Sequence, residues 1–406
     1  MKKYFLAVAS FFIYSHISLG QVYPGQMDST FVPVRSHHYD PELTFDFCVN
    51  EPAWSNQAGI HSAFGSTDRL YFRKEVPVNH DNDLSSSYST TVWRGERANA
   101  QILVWSSEAL EQVRVSTQDL RSAEGNIIPK DRITFELVRY VLSNYPYAEK
   151  KAICGESPYK SGFLMPDRFE TLDRFDLPSQ TTRPVWMMVD VPRGTAPGTY
   201  KGKVEVRAKG KAPQLLNLEI VVQNQLLPYP KDWKYRLDLW QNPWAVAWYN
   251  HVEPWSPEHK MLLKQHLKHY ADAGGTYITT YGVHSPWSDN SYMIEGGMIE
   301  WIKKADGTWA FDYKIFDEYV ELAMECGIDE AITLYTPIPW GFRHRYKDEA
   351  TGDYSYINWA PSSEEFKKMW NIFLTDFKFH LEAKSWLDIT YIGINENPME
   401  ETLAAI

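Results

Sequence analysis

Asp388-Ile-Thr-Tyr-Ile-Gly-Ile-Asn-Glu-Asn-Pro-Met-Glu400 is the stretch that decides how the rest of the chain is read. Residues 387–394 are mostly apolar and predict a short buried strand. Asn397 suits a helix N-cap, Pro398 its first turn and Glu400 the reciprocal capping position. Asn395 and Glu396 are thereby set on the turn where a strand feeds a helix. In a barrel of parallel strands, that turn lies on the face that carries catalytic groups. An amide and a carboxylate side by side there are the first candidates for chemistry. A plain helix-dipole charge is the alternative for Glu396, and it is the preferred reading for Glu400 and Glu401.

Upstream of this stretch the pattern alternates between strand and helix. Residues 235–240 predict a strand. Ser256, Pro257 and Glu258 open a helix that Gly274 and Gly275 close. A strand over 277–281 follows, then a hairpin over 292–311, a helix over 315–326 ended by Gly327, and a strand over 331–335. Ser362 and Glu365 predict a capping box for a helix whose apolar stripe is Phe366, Met369, Trp370, Phe373, Leu374 and Phe377. The strand over 387–394 is then the fourth. Such alternation predicts a parallel sheet. A complete eight-stranded barrel needs roughly 250 residues. The expectation is therefore a (β/α)8 TIM-type barrel of which about the first four β/α units are present, as in a truncated or frame-shifted product or an incomplete gene model. An open four-stranded sheet with helices on both faces is the alternative.

Residues 30–228 read as β-rich. Alternating, β-branched and aromatic runs at 100–105, 113–116, 133–141, 185–191, 200–208 and 215–223, punctuated by Gly and Pro, predict an antiparallel sandwich. Residues 145–180 read as a long irregular loop, and 227–230 as a linker. At the N-terminus, Lys2 and Lys3 precede an apolar run over 4–19, with Ser18 and Gly20 suiting signal-peptidase cleavage before Gln21. The expected organisation is a signal peptide over 1–20, a β-sandwich domain over 21–228 and an incomplete catalytic domain over 229–406. The chain is expected to be exported, to the periplasm or beyond, with no membrane span.

The 406 residues carry a net charge of -11, and no Lys/Arg run stands out, so nucleic acid is not an expected partner. Cys48, Cys154 and Cys326 are odd in number and irregular in spacing, which favours buried free thiols. There is no CxxC or HExxH pair, and no metal or cofactor is expected. His266 and His269 lie in a helix rich in Lys and Gln and read as a solvated face. Aromatic residues make up 15% of the chain, with 16 Trp and 25 Tyr. Flat rings with polar edges suit stacking on sugars, though a large aromatic core explains the same composition.

With the Asn-Glu turn placed, the chain resembles glycoside hydrolase family 123, an exported β-N-acetylgalactosaminidase family common in gut Bacteroidetes. The resemblance is carried by Trp93-Arg-Gly-Glu-Arg97 with Ala100-Gln101, Arg183-Pro-Val-Trp186, Pro197-Gly-Thr-Tyr-Lys-Gly202, Leu237-Asp-Leu-Trp-Gln-Asn-Pro243, Val252-Glu-Pro-Trp-Ser256 and Ile392-Gly-Ile-Asn-Glu-Asn-Pro-Met399. It implies a β-sandwich ahead of a (β/α)8 barrel and an oligosaccharide or glycoconjugate substrate. It also implies a retaining mechanism in which the sugar's own 2-acetamido oxygen attacks the anomeric carbon to give an oxazoline-type intermediate, an exception to the two-carboxylate scheme. An Asp-Glu pair on the fourth strand serves that mechanism. The Asp orients the acetamide; the Glu protonates the leaving oxygen and then activates water. Glu396 matches the acid/base position, where a pocket of Trp and Tyr is expected to raise its pKa by desolvation. Asn395 stands where the Asp is expected. An amide oxygen can accept the acetamide N–H but cannot offset the charge on the oxazoline, at a cost of roughly 3–4 kcal/mol.

Asp238, Trp240 and Gln241 end the first predicted strand and are candidates to line the sugar site, with a core or capping role the alternative. Tyr281, His284, Trp287, Tyr335 and Trp340 follow the second and third strands and are candidates for stacking or hydrogen bonding to substrate. Two function classes remain: a glycosidase acting on terminal β-linked N-acetylgalactosamine, or a non-catalytic exported remnant that binds glycans or proteins.

Overall fold

The structure is a computed structural model that describes residues 51–77, 84–143, 163–286 and 296–405. The signal-peptide segment, Cys48, Cys154 and Trp287 lie outside the described residues. The chain divides into two compact units at Leu227/Pro228.

The first unit holds α1 (Glu51–Trp54), β1 (His61–Gly65), β2 (Ser87–Arg94), β3 (Arg97–Ser106), β4 (Leu110–Thr117), β5 (Leu120–Arg121), β6 (Ile127–Ile128) and β7 (Ile133–Ser143). These are followed by β8 (Phe163–Thr171), β9 (Phe175–Leu177), β10 (Thr181–Asp190), β11 (Gly198–Arg207) and β12 (Gln214–Leu226). One sheet has the order β1-β3-β10-β7-β8 and the other β2-β12-β11-β4-β9. Alternate residues of both sheets, among them Ile102, Val104 and Met187 from one and Val204, Val206 and Ile220 from the other, close a single core. The predicted runs at 100–105, 133–141, 185–191 and 215–223 are core strands of this arrangement.

Two expectations change. The sandwich is not wholly antiparallel, because β2 pairs parallel with β12. The expected loop over 145–180 contains β8 and β9. Pro166 obscures β8 in the sequence, but β8 is an edge strand, and the ladder shifts register between Arg139 and Tyr140 where Pro166 sits.

The second unit holds α2 (Pro243–Asn250), α3 (Pro257–Asp272), β13 (Tyr277–Tyr281), β14 (Glu300–Lys303), β15 (Trp309–Asp312), α4 (Lys314–Glu325) and β16 (Ala331–Tyr335). After these come β17 (Arg343–Asp348), β18 (Tyr354–Asn358), α5 (Glu364–Lys384), β19 (Thr390–Gly393) and α6 (Met399–Ala405). β13, β16 and β19 form a parallel sheet in that order, with Thr279, Thr333 and Tyr391 in one row and Tyr281, Tyr335 and Gly393 in the next. The helices between them alternate as the sequence predicts. Ser256 caps α3 through the His259 N–H, and Gly327 takes a φ of +91° at the end of α4.

The expected first strand, over 235–240, is reduced to one parallel bridge, between Leu237 and Gly275. The Tyr270 ring occupies the space beside it, where a Cβ on Gly275 would meet that ring at 2.2 Å. The Tyr270 hydroxyl accepts the Leu239 N–H and lies 2.6 Å from the Leu237 carbonyl and 2.8 Å from the Tyr277 carbonyl. A side-chain hydroxyl thus does what a run of ladder hydrogen bonds would otherwise do.

The hairpin expected near 292–311 appears as β14 and β15, and a second hairpin, β17 and β18, joins it in a four-stranded sheet that the sequence reading missed. Ser363, not Ser362, caps α5, and Leu381 takes the place of half-exposed Leu374 in the buried stripe. Residues 387–389 form a 3-10 turn, so β19 is shorter than expected. The core of this unit is aromatic, with Trp301 stacked on Phe373 and edge-on to Trp370. Cys326 is a free, half-buried thiol. Among the described residues, no helix is long and apolar enough to cross a membrane.

Candidate functional site

Parallel strands present their C-terminal ends on one side, and there the structure gathers several of the predicted residues. Asn395, 4% exposed, follows β19. Its backbone N–H donates to Thr336 Oγ1 at 3.1 Å, and its Oδ1 accepts from the Tyr335 hydroxyl at 2.6 Å and the Glu396 N–H at 2.8 Å. A backbone N–H can only donate, so the atom facing Glu396 N must be the amide oxygen. Nδ2 is the remaining polar atom, buried without a partner among the described residues. The oxygen expected to hold a substrate acetamide is therefore already engaged, and a donor is what stays open.

Glu396, the next residue, is exposed. The desolvating pocket expected around it is not formed by the described residues. Asn397, expected as the N-cap of the following helix, donates its side-chain amide to the Ile338 carbonyl at 2.9 Å and ties the turn to the loop after β16. Glu400 and Glu401 lie in the first turn of α6, as expected.

Trp240 lies over Tyr335, with ring centroids 4.9 Å apart, and is 49% exposed, so it offers a ring to solvent beside the Asn395 turn. Asp238 sits deeper. Its two carboxylate oxygens accept from Thr279 Oγ1 at 2.8 Å and Thr333 Oγ1 at 3.2 Å, so it ties the 235–240 segment to β13 and β16. Gln241 accepts from the Tyr281 hydroxyl through its carbonyl at 2.6 Å, and its buried Nε2 has no partner among the described residues. Tyr281 is fully buried, packed 5.2 Å from Trp244, and serves the core and the position of Gln241.

His284 is buried, and burial, with the charges of Arg345 and Arg343 added, pushes its pKa down to about 3, so its imidazole is neutral. Trp340 is half-buried, and its backbone N–H donates to the Pro286 carbonyl at 3.1 Å. Asn395, Glu396, Tyr335 and Trp240 thus form one constellation, with Gln241 at the end of the same segment as Trp240. Asp238 and Tyr281 act as supports. Thr336, Thr279 and Thr333 were missed by sequence reasoning. Their only signal was a threonine-rich pattern at strand ends, which resembles ordinary β propensity. Among the described residues no group of three or more His, Cys, Asp or Glu is arranged to hold a metal, and His266 and His269 are exposed.

Two family models match the chain: the glycoside hydrolase 123 catalytic domain over residues 240–406 and the glycoside hydrolase 123 N-terminal domain over residues 64–208. Among solved structures, a family 123 glycoside hydrolase from Clostridium perfringens, described for glycolipid glycan hydrolysis, is similar at 27% identity and a TM-score of 0.76. The match covers 86% of this chain, which spans 60% of that one. The PapD-like domain of human CEP192 is similar at 12% identity, covering 46% of this chain and 99% of that one, with a TM-score of 0.22. No curated protein matches. With both domain models matched in order and the fold shared over most of its length, the chain belongs to glycoside hydrolase family 123.

Proposed function

We propose that this chain carries the acid/base end of an exported glycosidase that removes terminal β-linked N-acetylgalactosamine with retention, through an oxazoline-type intermediate. The observation that carries the reading is the Asn395–Glu396 turn. There a buried amide, fixed by Tyr335 and Thr336, stands directly before an exposed carboxylate at the C-terminal end of a parallel strand. β13, β16, β19 and the Leu237 bridge are read as the first four strands of a (β/α)8 barrel. Glu396 protonates the glycosidic oxygen and then deprotonates water. Trp240 stacks on the sugar, and Gln241 and Trp340 border it. Export rests on Lys2, Lys3 and the apolar run after them.

Asn395 also favours a second reading. Its open Nδ2 is a donor, and a donor on the acetamide oxygen would withdraw electron density from the attacking atom. That supports a non-catalytic glycan-binding role. Hydrolysis of an aryl β-N-acetylgalactosaminide separates the two. The enzyme reading expects turnover that Glu396→Gln lowers by about a thousandfold or more. Affinity for the sugar without turnover, indifferent to Glu396→Gln, would establish the binding reading instead.

A further inference from the structure

The hairpins that leave the C-terminal ends of β13 and β16 form one four-stranded sheet with two different faces. Trp301 and His344 on one face pack against Trp370 and Phe373 of α5. The run Arg343-His-Arg-Tyr-Lys347 puts its cations at alternate positions, so all three leave on the other face. Across the ladder, that face carries Tyr356 and Tyr354. The Arg343 guanidinium lies 3.8 Å from the Tyr356 ring centroid and that of Arg345 lies 4.2 Å from Tyr354. Stacking on a ring holds a guanidinium flat and leaves its edge N–H groups to a ligand.

These cations are poorly neutralised. Arg343 and Lys347 have no carboxylate partner among the described residues. Arg345 reaches Glu300 only at 3.8 Å, and its buried Nε has no partner. Arg345 and Lys347 line a hollow of about 540 Å³, where Lys314 adds charge, Glu300 and Asp312 oppose it, and Lys260 is paired with Glu318 at 3.3 Å. The wall of the hollow packs on the segment that follows β13, since a Cβ on Gly297 would lie 3.2 Å from His284 Cα. Both arginines also act on His284 electrostatically. In a chain of net charge -11, a cationic face at this end of the parallel sheet needs a reason.

We propose that Arg343 and Arg345, with Lys347, form a subsite for an anionic group, a sulfate ester or a carboxylate, on the glycan whose terminal N-acetylhexosamine enters the Asn395–Glu396 site. This rests on the glycosidase reading. A planar fork matches either oxyanion, and the two tyrosine rings pre-orient it.

The test is calorimetric titration of the full chain with three glycans that share one β-N-acetylgalactosamine-terminated core: neutral, sulfated and sialylated. The expected result is at least one anionic glycan bound about tenfold more tightly than the neutral one. Added salt should narrow the difference, and Arg343→Ala or Arg345→Ala should bring the ratio to about one. A preference for the sulfated arm names sulfate as the ligand group; a preference for the sialylated arm names carboxylate. Arg345 is largely buried, so Arg343→Gln and Lys347→Gln carry the test should Arg345→Ala not fold. Equal affinities, or a preference that survives these substitutions, overturn the subsite while leaving the glycosidase reading intact. A chain that binds none of the three overturns both.

Discussion

The Tyr335 hydroxyl lies 2.6 Å from Oδ1 of Asn395, a hydrogen bond that joins the ends of two neighbouring parallel strands. With the Glu396 N–H on the same oxygen, it fixes which atom of the amide faces inward. The oxygen is held by the protein, and the buried Nδ2 has no partner among the described residues.

Asn395→Asp follows directly. The Tyr335 hydroxyl and the Glu396 N–H would stabilise one carboxylate oxygen in its ionised form, against the opposing effect of burial. The other oxygen would replace the Nδ2 donor with an acceptor for the acetamide N–H. Turnover of an aryl β-N-acetylgalactosaminide should rise by about two to three orders of magnitude, measured in a chain that retains activity. No gain would show that position 395 does not serve the acetamide.

Tyr335→Phe removes the donor but keeps the ring under Trp240. Asn395 Oδ1 then keeps only the Glu396 N–H, so one hydrogen bond instead of two orients the buried amide. Stability should drop by about 1–2 kcal/mol in denaturant unfolding. Trp240 fluorescence should stay close to that of the parent. Unchanged stability would mean that the 2.6 Å contact contributes nothing.

Tyr270→Phe probes how the segment carrying Asp238, Trp240 and Gln241 is held. Burial pushes the Tyr270 hydroxyl up to about 12, so it stays protonated while bridging Leu239, Leu237 and Tyr277. Its removal should speed amide exchange selectively at Leu239, with a stability cost of about 1–2 kcal/mol. Exchange as slow as in the parent would show that the Leu237–Gly275 bridge and Asp238 suffice alone.

Acid should weaken the second unit through His344. Burial pushes its pKa down to about 4, and its ring is held neutral, Nδ1 on the Phe342 carbonyl and Nε2 accepting from the Trp370 indole. Between about pH 6.5 and pH 4 the unfolded chain binds the proton and the folded chain does not. The contribution of His344 is therefore complete above about pH 6.5, falls as the pH drops, and is gone by about pH 4, a loss on the order of 3 kcal/mol. Denaturant midpoints at about pH 7 and about pH 4 measure it. The difference should shrink in His344→Gln, and an equal difference in that variant would assign the acid sensitivity elsewhere.

Much of the fold was legible because its signals are local. Capping at Ser256, glycine at 274 and 327 and the apolar stripe of α5 depend on residues within a turn of one another. The strands at 277–281 and 331–335 are bounded by such helices and were found at their observed limits. Where a partner far along the chain decides, the sequence misled. The 235–240 segment has strand composition, but the Tyr270 ring displaces its ladder. β8 hides behind Pro166, and the β17–β18 hairpin is recognisable only once it pairs with β14.

The sequence by itself determined the family, through ordered motifs, and put Asn395 and Glu396 on a turn after a strand. Periodicity and capping are enough for that, because they fix where a backbone changes direction. Only the tertiary structure decided what the two side chains meet. Tyr335 and Thr336, some sixty residues away, engage the Asn395 oxygen and backbone and leave Nδ2 open, while Glu396 remains exposed. It alone set Asp238 as a tie between strands and gathered Arg343 and Arg345 on one face beside His284. Hydrogen-bond partners and burial are relations between distant residues, and no local pattern in the chain encodes them.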